Sequence, residues 1–271
     1  MLAKILLIIA GLILLAGCRQ NLALNQPELV NNSAVPSNQA EPTKSDQPAI
    51  VAEPKPKSPE LPDEEAKEVL APPDLTVSET FNQPVSFTSQ APYGVWDELH
   101  GEACEEASMI MVAKYFKQQL LDSHIAEQAI LDLVEWENDN DYEVDLTAAE
   151  TSEILSQYFG LKSELIYDVT AERIKKELAQ GKLIIVPAAG RQLGNPYFQT
   201  PGPIYHMLVI TGYDQDEFIT NDPGTKRGEG FKYKFQTLLG AVADWDHTLD
   251  SDGMTDQEID STQSVIIAVW L

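Results

Sequence analysis

Thirteen apolar residues, Ile5–Gly17, open the chain, and regular hydrophobic spacing then disappears until about residue 80. Beyond residue 81 it returns. Apolar positions three and four apart predict helices over 104–120, 124–136, 147–159, 170–180 and 235–245. Gly181 follows the fourth of these as a C-terminal stop. Apolar and β-branched runs predict strands at Lys162–Tyr167, Leu183–Ala188, Ile204–Tyr213, Glu217–Thr220, Phe231–Phe235 and Gln263–Leu271. Helices come mostly first and strands mostly last, an α+β order. The stretch Met109-Ile110-Met111-Val112-Ala113 is apolar on nearly every face. That predicts a central buried helix with Cys104 at its exposed N-terminal end.

The N-terminal run is short for a membrane span, which needs roughly 17–25 apolar residues. Behind Lys4 it suits the core of a signal peptide. It ends in Leu15-Ala16-Gly17-Cys18, which resembles a bacterial lipobox. The resemblance implies cleavage before Cys18 and lipid on its sulfur, so residues 1–17 are read as signal peptide. Two or more acyl chains hold a protein stably on a bilayer. Residues 18–80 are then the lipidated Cys and a tether. Positions 19–80 hold ten of the 17 prolines, no glycine and a net charge of −6. Such a stretch reads as a disordered, Pro-rich spacer reaching roughly 45 Å. Residues 81–271 remain as one folded domain, read as a monomer on the extracytoplasmic face, at the cell surface or in the periplasm.

Charge and cysteine usage narrow the chemistry. The net charge of −25 excludes nucleic acid as a partner, because a polyanion is repelled at long range. The domain's share, −20, suits cationic peptides as substrates. Two cysteines exclude a disulfide scaffold. With Cys18 lipidated, Cys104 has no intramolecular partner, and a lone thiol outside the cytoplasm needs a reason. Unpaired N–H groups and the dipole at a helix start stabilise a thiolate.

Four segments carry a resemblance: Ser89-Gln90-Ala91-Pro92, Cys104-Glu105-Glu106-Ala107-Ser108, Gly202–Asp214 around His206, and Thr220-Asn221-Asp222-Pro223-Gly224-Thr225. In this order they resemble the bacterial peptidase family thirty-nine-like domain, papain-like cysteine peptidases related to bacteriocin-leader peptidases. The resemblance spans about 85–271. It implies an α+β papain-like fold, with a central helix carrying the Cys packed on an antiparallel sheet. It also implies a peptide or protein substrate and no cofactor. It gives Cys104 as nucleophile, His206 as base and acid, Asp222 as the group orienting His206, and Gln90 as oxyanion donor with the Cys104 N–H. The hairpin-like link Asp214-Gln215-Asp216 returns the chain so that Asp222 comes beside His206.

Glu102, Glu105 and Glu106 oppose this reading. Taken as partly exposed, they favour a protonated His206 and penalise a Cys104 thiolate, most strongly at low salt. Among the other histidines, His100 reads as a loop residue and His124 as a solvated one, and no zinc spacing is present. The acidic runs 139–145 and 246–260 offer oxygen ligands, so calcium is a minority option. Asp250-Ser251-Asp252-Gly253 resembles the middle of an EF-hand loop, but the frame puts Thr248 and Ile259 at its first and twelfth positions, where it needs carboxylates. The functional expectation is a lipid-anchored cysteine peptidase. Its alternatives are a cell-wall peptide hydrolase or acyl transferase using the same thiol, and a catalytically silent binding module.

Overall fold

The structure, a computed structural model, describes residues 78–249 and 253–271. The signal peptide, Cys18 and nearly all of the tether lie outside the described residues.

The apolar run before Asp214 becomes the long strand β4 (Tyr205–Asp214), and the sheet is built around it. On one side lie β3 (Leu183–Ala189), β7 (Ile266–Trp270) and β2 (Lys162–Ile166), and on the other β5 (Glu217–Asn221) and β6 (Phe231–Lys234). Every pairing is antiparallel, in the order β2-β7-β3-β4-β5-β6. A short β1 (Thr80–Asn82) pairs with β4 past the end of β3, with Phe81 opposite Tyr213.

The central strands β3, β4 and β7 are apolar on both faces because helices cover both. Met207 and Val209 of β4, Ile185 of β3 and Ile267 of β7 share one core with α2 (Cys104–Phe116), α3 (Ser123–Asp139) and α4 (Ala148–Gln157). Their neighbours Leu208, Ile210, Ile184 and Ile266 share the other with α5 (Ala171–Ala179) and α6 (Phe235–Ala241). This is the strand period of two at work at the centre of a sheet, while the edge strands β2 and β6 keep exposed charges. The central helix is as expected: every residue from Cys104 to Ala113 is buried.

Several boundaries differ from the sequence reading, each for a local reason. The Cys104 helix stops at Phe116 rather than residue 120, and Gln118 turns into positive φ. The helix expected over 235–245 stops at Ala241, because Val242 takes extended geometry and bridges to Ala188 of β3. Four short pieces escaped the periodicity: β1, α1 (Glu98–Glu102), a 3-10 turn at Gly190–Leu193 and α7 (Asp256–Ile259). None is long enough to show a repeat. His100, expected in a loop, lies in α1 and is buried, with Nδ1 2.7 Å from Asp97 and Nε2 3.3 Å from Glu127. His124 is exposed, as expected.

Candidate active site

The start of α2 meets the beginning of β4. Cys104 is the first helical residue, and its sulfur accepts the Met207 N–H at 3.3 Å. This fixes the thiol next to His206, one residue earlier on the strand. Cys104, expected at an exposed end, is buried at 6 % exposure. It nevertheless lines an open cleft of about 1040 Å³, together with His206 and Gln90.

His206 and Asp222 form a buried pair, with His206 Nε2 2.8 Å from Asp222 Oδ1. The turn from β4 to β5 at Gln215 makes this possible, since β5 ends at Asn221 and hands the chain directly to Asp222. Asp222 is held on all sides. Gly224 N–H donates to Oδ1, while the Asn195 amide and the Tyr233 hydroxyl donate to Oδ2. Burial pushes this carboxyl up, but His206 and the bonds from His206, Tyr233 and Asn195 together outweigh it and hold it below its ordinary value. The same bond leaves Nδ1 as the imidazole nitrogen open to a thiol. Asn195 and Tyr233 gave no signal in the sequence, because one lies in a loop and the other in a short strand, far from Asp222 along the chain.

Two glycines make the packing possible. A Cβ on Gly224 would sit 2.8 Å from His206 Cε1, and one on Gly228 only 1.7 Å from the Asp222 carbonyl oxygen.

The thiol itself is turned elsewhere. Cys104 Sγ donates to Glu105 Oε2 at 3.0 Å, and no hydrogen bond joins it to His206 among the described residues. Glu105 is fully buried, and its other oxygen accepts Leu146 N–H at 3.3 Å. Glu106 is also buried, at 4 % exposure, which corrects the expectation of partly exposed carboxylates. Glu102 alone of the three is exposed. Burial pushes the Cys104 thiol well up, and Glu105 and Glu106 push it further, against the Met207 N–H.

Gln90 reaches the cleft, and its backbone N–H donates to Pro223 O at 3.0 Å, which ties it to the Asp222 turn. Its side-chain NH₂ donates to the carbonyls of His100 and Gly101, at 3.0 and 2.7 Å. Both hydrogens of the amide are thereby committed, and Oε1 is buried without a partner.

The second acidic run is taken up by contacts within the fold. Asp246 accepts from Thr248, Asp256 pairs with Arg191, and Asp260 accepts from Gln192. Among the described residues no three His, Cys, Asp or Glu side chains converge as ligands for a metal ion. The EF-hand-like residues 250–252 lie outside the described residues.

Against known proteins, residues 82–248 match the family model described as the Peptidase_C39 like family. A solved structure from Bacillus anthracis, provisionally assigned as a C39-like peptidase, is similar at 15% identity with a TM-score of 0.45, covering 72% of this chain and 98% of that one. No curated protein matches the chain.

Proposed function

Because the chain belongs to the Peptidase_C39 like family, whose model covers more than half of it, we propose that it is a cysteine peptidase forming an acyl-enzyme on Cys104. Its architecture is the α+β papain-like one, a Cys-bearing helix packed on an antiparallel sheet. The observation that carries the proposal is the meeting of Cys104 with the buried His206–Asp222 pair at one cleft.

The chemistry follows from these groups. The thiol turns from Glu105 toward His206 Nδ1 and gives up its proton there. The sulfur attacks the peptide carbonyl, and the Cys104 N–H at the helix start faces the developing oxyanion. His206 then passes its proton to the leaving amine as the C–N bond breaks. Water, deprotonated by His206, releases the acyl group and restores the thiol. Asp222 keeps the imidazole oriented and stabilises its charged form. Gln90 joins the oxyanion site once its amide leaves the two carbonyls.

Cleavage of a peptide library by the full chain tests this, alongside the rate of Cys104 alkylation by iodoacetamide. Cleavage disappears in Cys104→Ala and His206→Ala. Should Cys104 react as slowly as an ordinary thiol and be indifferent to His206→Ala, the enzyme reading fails. The hydrogen bond from the thiol to Glu105 favours the second reading, a silent binding module, and the same measurement decides between them.

We further propose that lipid on Cys18 holds the protein at the extracytoplasmic face of the membrane, on the lipobox-like Leu15–Cys18. Cys18→Ala then loses lipid labelling and leaves the membrane fraction. Retention in that fraction overturns the proposal.

A further inference from the structure

One wall of the catalytic cleft departs from the charge of the rest of the domain. Residues 81–271 carry a net charge of −20, yet Arg191, Lys226 and Arg227 all line this cleft, against Glu102 and Asp145 as its acids. Arg191 is already engaged, paired with Asp256 and donating from Nε to the Gly202 carbonyl at 3.1 Å. The other two are not. Of the three arginines among the described residues, Arg173 and Arg191 each hold a carboxylate, and the Arg227 side chain makes no ion pair or hydrogen bond there. The Lys226 ammonium likewise has no such partner among the described residues.

The catalytic pair sets where these two cations stand. They follow Gly224, which packs against the His206 ring, on the segment that begins at Asp222. Phe198 meets the same ring edge-on, with centroids 5.2 Å apart. Its neighbour Tyr197 lies under the Arg227 guanidinium, 4.8 Å from ring centroid to Cζ. Tyr197 is itself tied to the pair, because its N–H donates at 3.0 Å to Asn195, whose amide holds Asp222. A ring beneath a guanidinium pins it by its face and leaves its N–H edge for a planar anion. Lys226 reaches the loop after Gln90, where a Cβ on Gly94 would collide with its ammonium.

The reaction gives this charge a side. His206 hands its proton to the leaving amine, so the part of the peptide downstream of the cut departs past the imidazole and the turn that covers it. We propose that Arg227 and Lys226 receive a carboxylate of the peptide downstream of the scissile bond, an assignment that rests on the peptidase reading above. A carboxylate takes two parallel N–H bonds from a guanidinium, and an ammonium beside it adds a point charge. A terminal carboxylate and an acidic side chain share this chemistry. The domain's overall charge favours cationic peptides, and this wall asks for an acid at one place within them.

The test reads binding without requiring cleavage. Tripeptides with a free amino end imitate the product released downstream of the cut. Their occupancy is read as protection of Cys104 in the full chain from iodoacetamide at constant ionic strength. The probes are Ala-Ala-Ala, its C-terminal amide, and the amides of Ala-Glu-Ala and Ala-Gln-Ala. A carboxylate-bearing probe half-protects at a concentration about five- to twentyfold lower than its neutral counterpart, the range of one or two charge-assisted contacts at a partly exposed site. A gap within the first pair of probes identifies a terminal carboxylate, and one within the second an acidic side chain. Lys226→Gln/Arg227→Gln, at two exposed positions, closes the gap. Lys226→Glu/Arg227→Glu reverses it, which misfolding cannot do. Equal protection by charged and neutral probes, no protection by any of the four, or a gap that survives either pair of substitutions overturns the assignment. A gap in a protein that cleaves no peptide leaves the carboxylate site standing and sinks the peptidase reading, and cleavage without a gap does the reverse.

Discussion

At Cys104 the nearest acid is bonded to the sulfur itself. Glu105 accepts the thiol hydrogen from a fully buried position, where like charge is felt strongly and solvent screens little. Replacing Glu105 by Gln keeps the shape and removes the charge, so the thiol ionises more easily. The acidic limb of the iodoacetamide rate against pH therefore moves to lower pH in Glu105→Gln, by about one unit or more. Because the carboxylate is buried, the shift changes little between low and moderate salt, unlike the strong salt effect expected of exposed glutamates. A limb that stays in place would mean that Glu105 is already protonated. Gly224 offers a second test at the same scale. A methyl group there overlaps His206 Cε1, so Gly224→Ala displaces the imidazole without touching the sulfur. Peptide cleavage falls by about 10²-fold, as for ångström-scale misplacement of a catalytic group, and the melting temperature drops as well, since the methyl also meets Phe198.

Among the elements, α2 was legible because residues 109–113, apolar at consecutive positions, sit inside a longer stretch with helical spacing, which a helix buried all round explains. Ile110→Ala should cost about 2–5 kcal/mol, the usual range for emptying a packed aliphatic site, read as a lower urea midpoint with an unchanged slope. The strands around His206 were equally readable, because runs such as Leu183–Ala188 and Ile204–Tyr213 are apolar throughout. What stayed hidden was the polar interior. Glu105, Glu106 and Glu137 are letters that normally mark a surface, and nothing in their spacing shows that α2 and α3 bury them around a common space. The hold on Asp222 was hidden for another reason. Asn195 and Tyr233 reach it only after the chain has folded back, and a one-dimensional pattern carries no trace of such a meeting. The commitment of the Gln90 amide to two carbonyls is likewise a matter of three-dimensional direction.

For the whole molecule, the buried acids set how stability follows pH. Burial raises Glu106 from 4.5 to about 7, and Asp145 and Asp244 from 3.8 to about 6. Carboxyls raised on folding contribute stability that is complete below their ordinary values and is lost as pH climbs through the raised ones. Asp222 works the other way, since its lowered value gives stability above the ordinary range that is lost as pH falls through the lowered value. Asp222 acts only below about pH 4, so above it the raised acids alone set the slope, with buried Glu137, raised to about 11, adding to the loss, and the net charge of −25 adds self-repulsion as acids ionise. The melting temperature is thus higher near pH 5 than near pH 8, by about 5 °C or more. Equal values at the two pH values would show that these carboxyls are ionised throughout. The same molecule also has a mechanical side. The chain enters the fold through β1, whose three residues lie against the end of β4 opposite His206. Just inside it, Gln83 is bonded to Thr211, Lys182 and Tyr115. Any pull on the chain upstream of Ser78 is therefore taken up first by this small clasp. The clasp therefore reaches two parts of the site's frame at once, through Thr211 the strand that carries His206 and through Tyr115 the helix that carries Cys104.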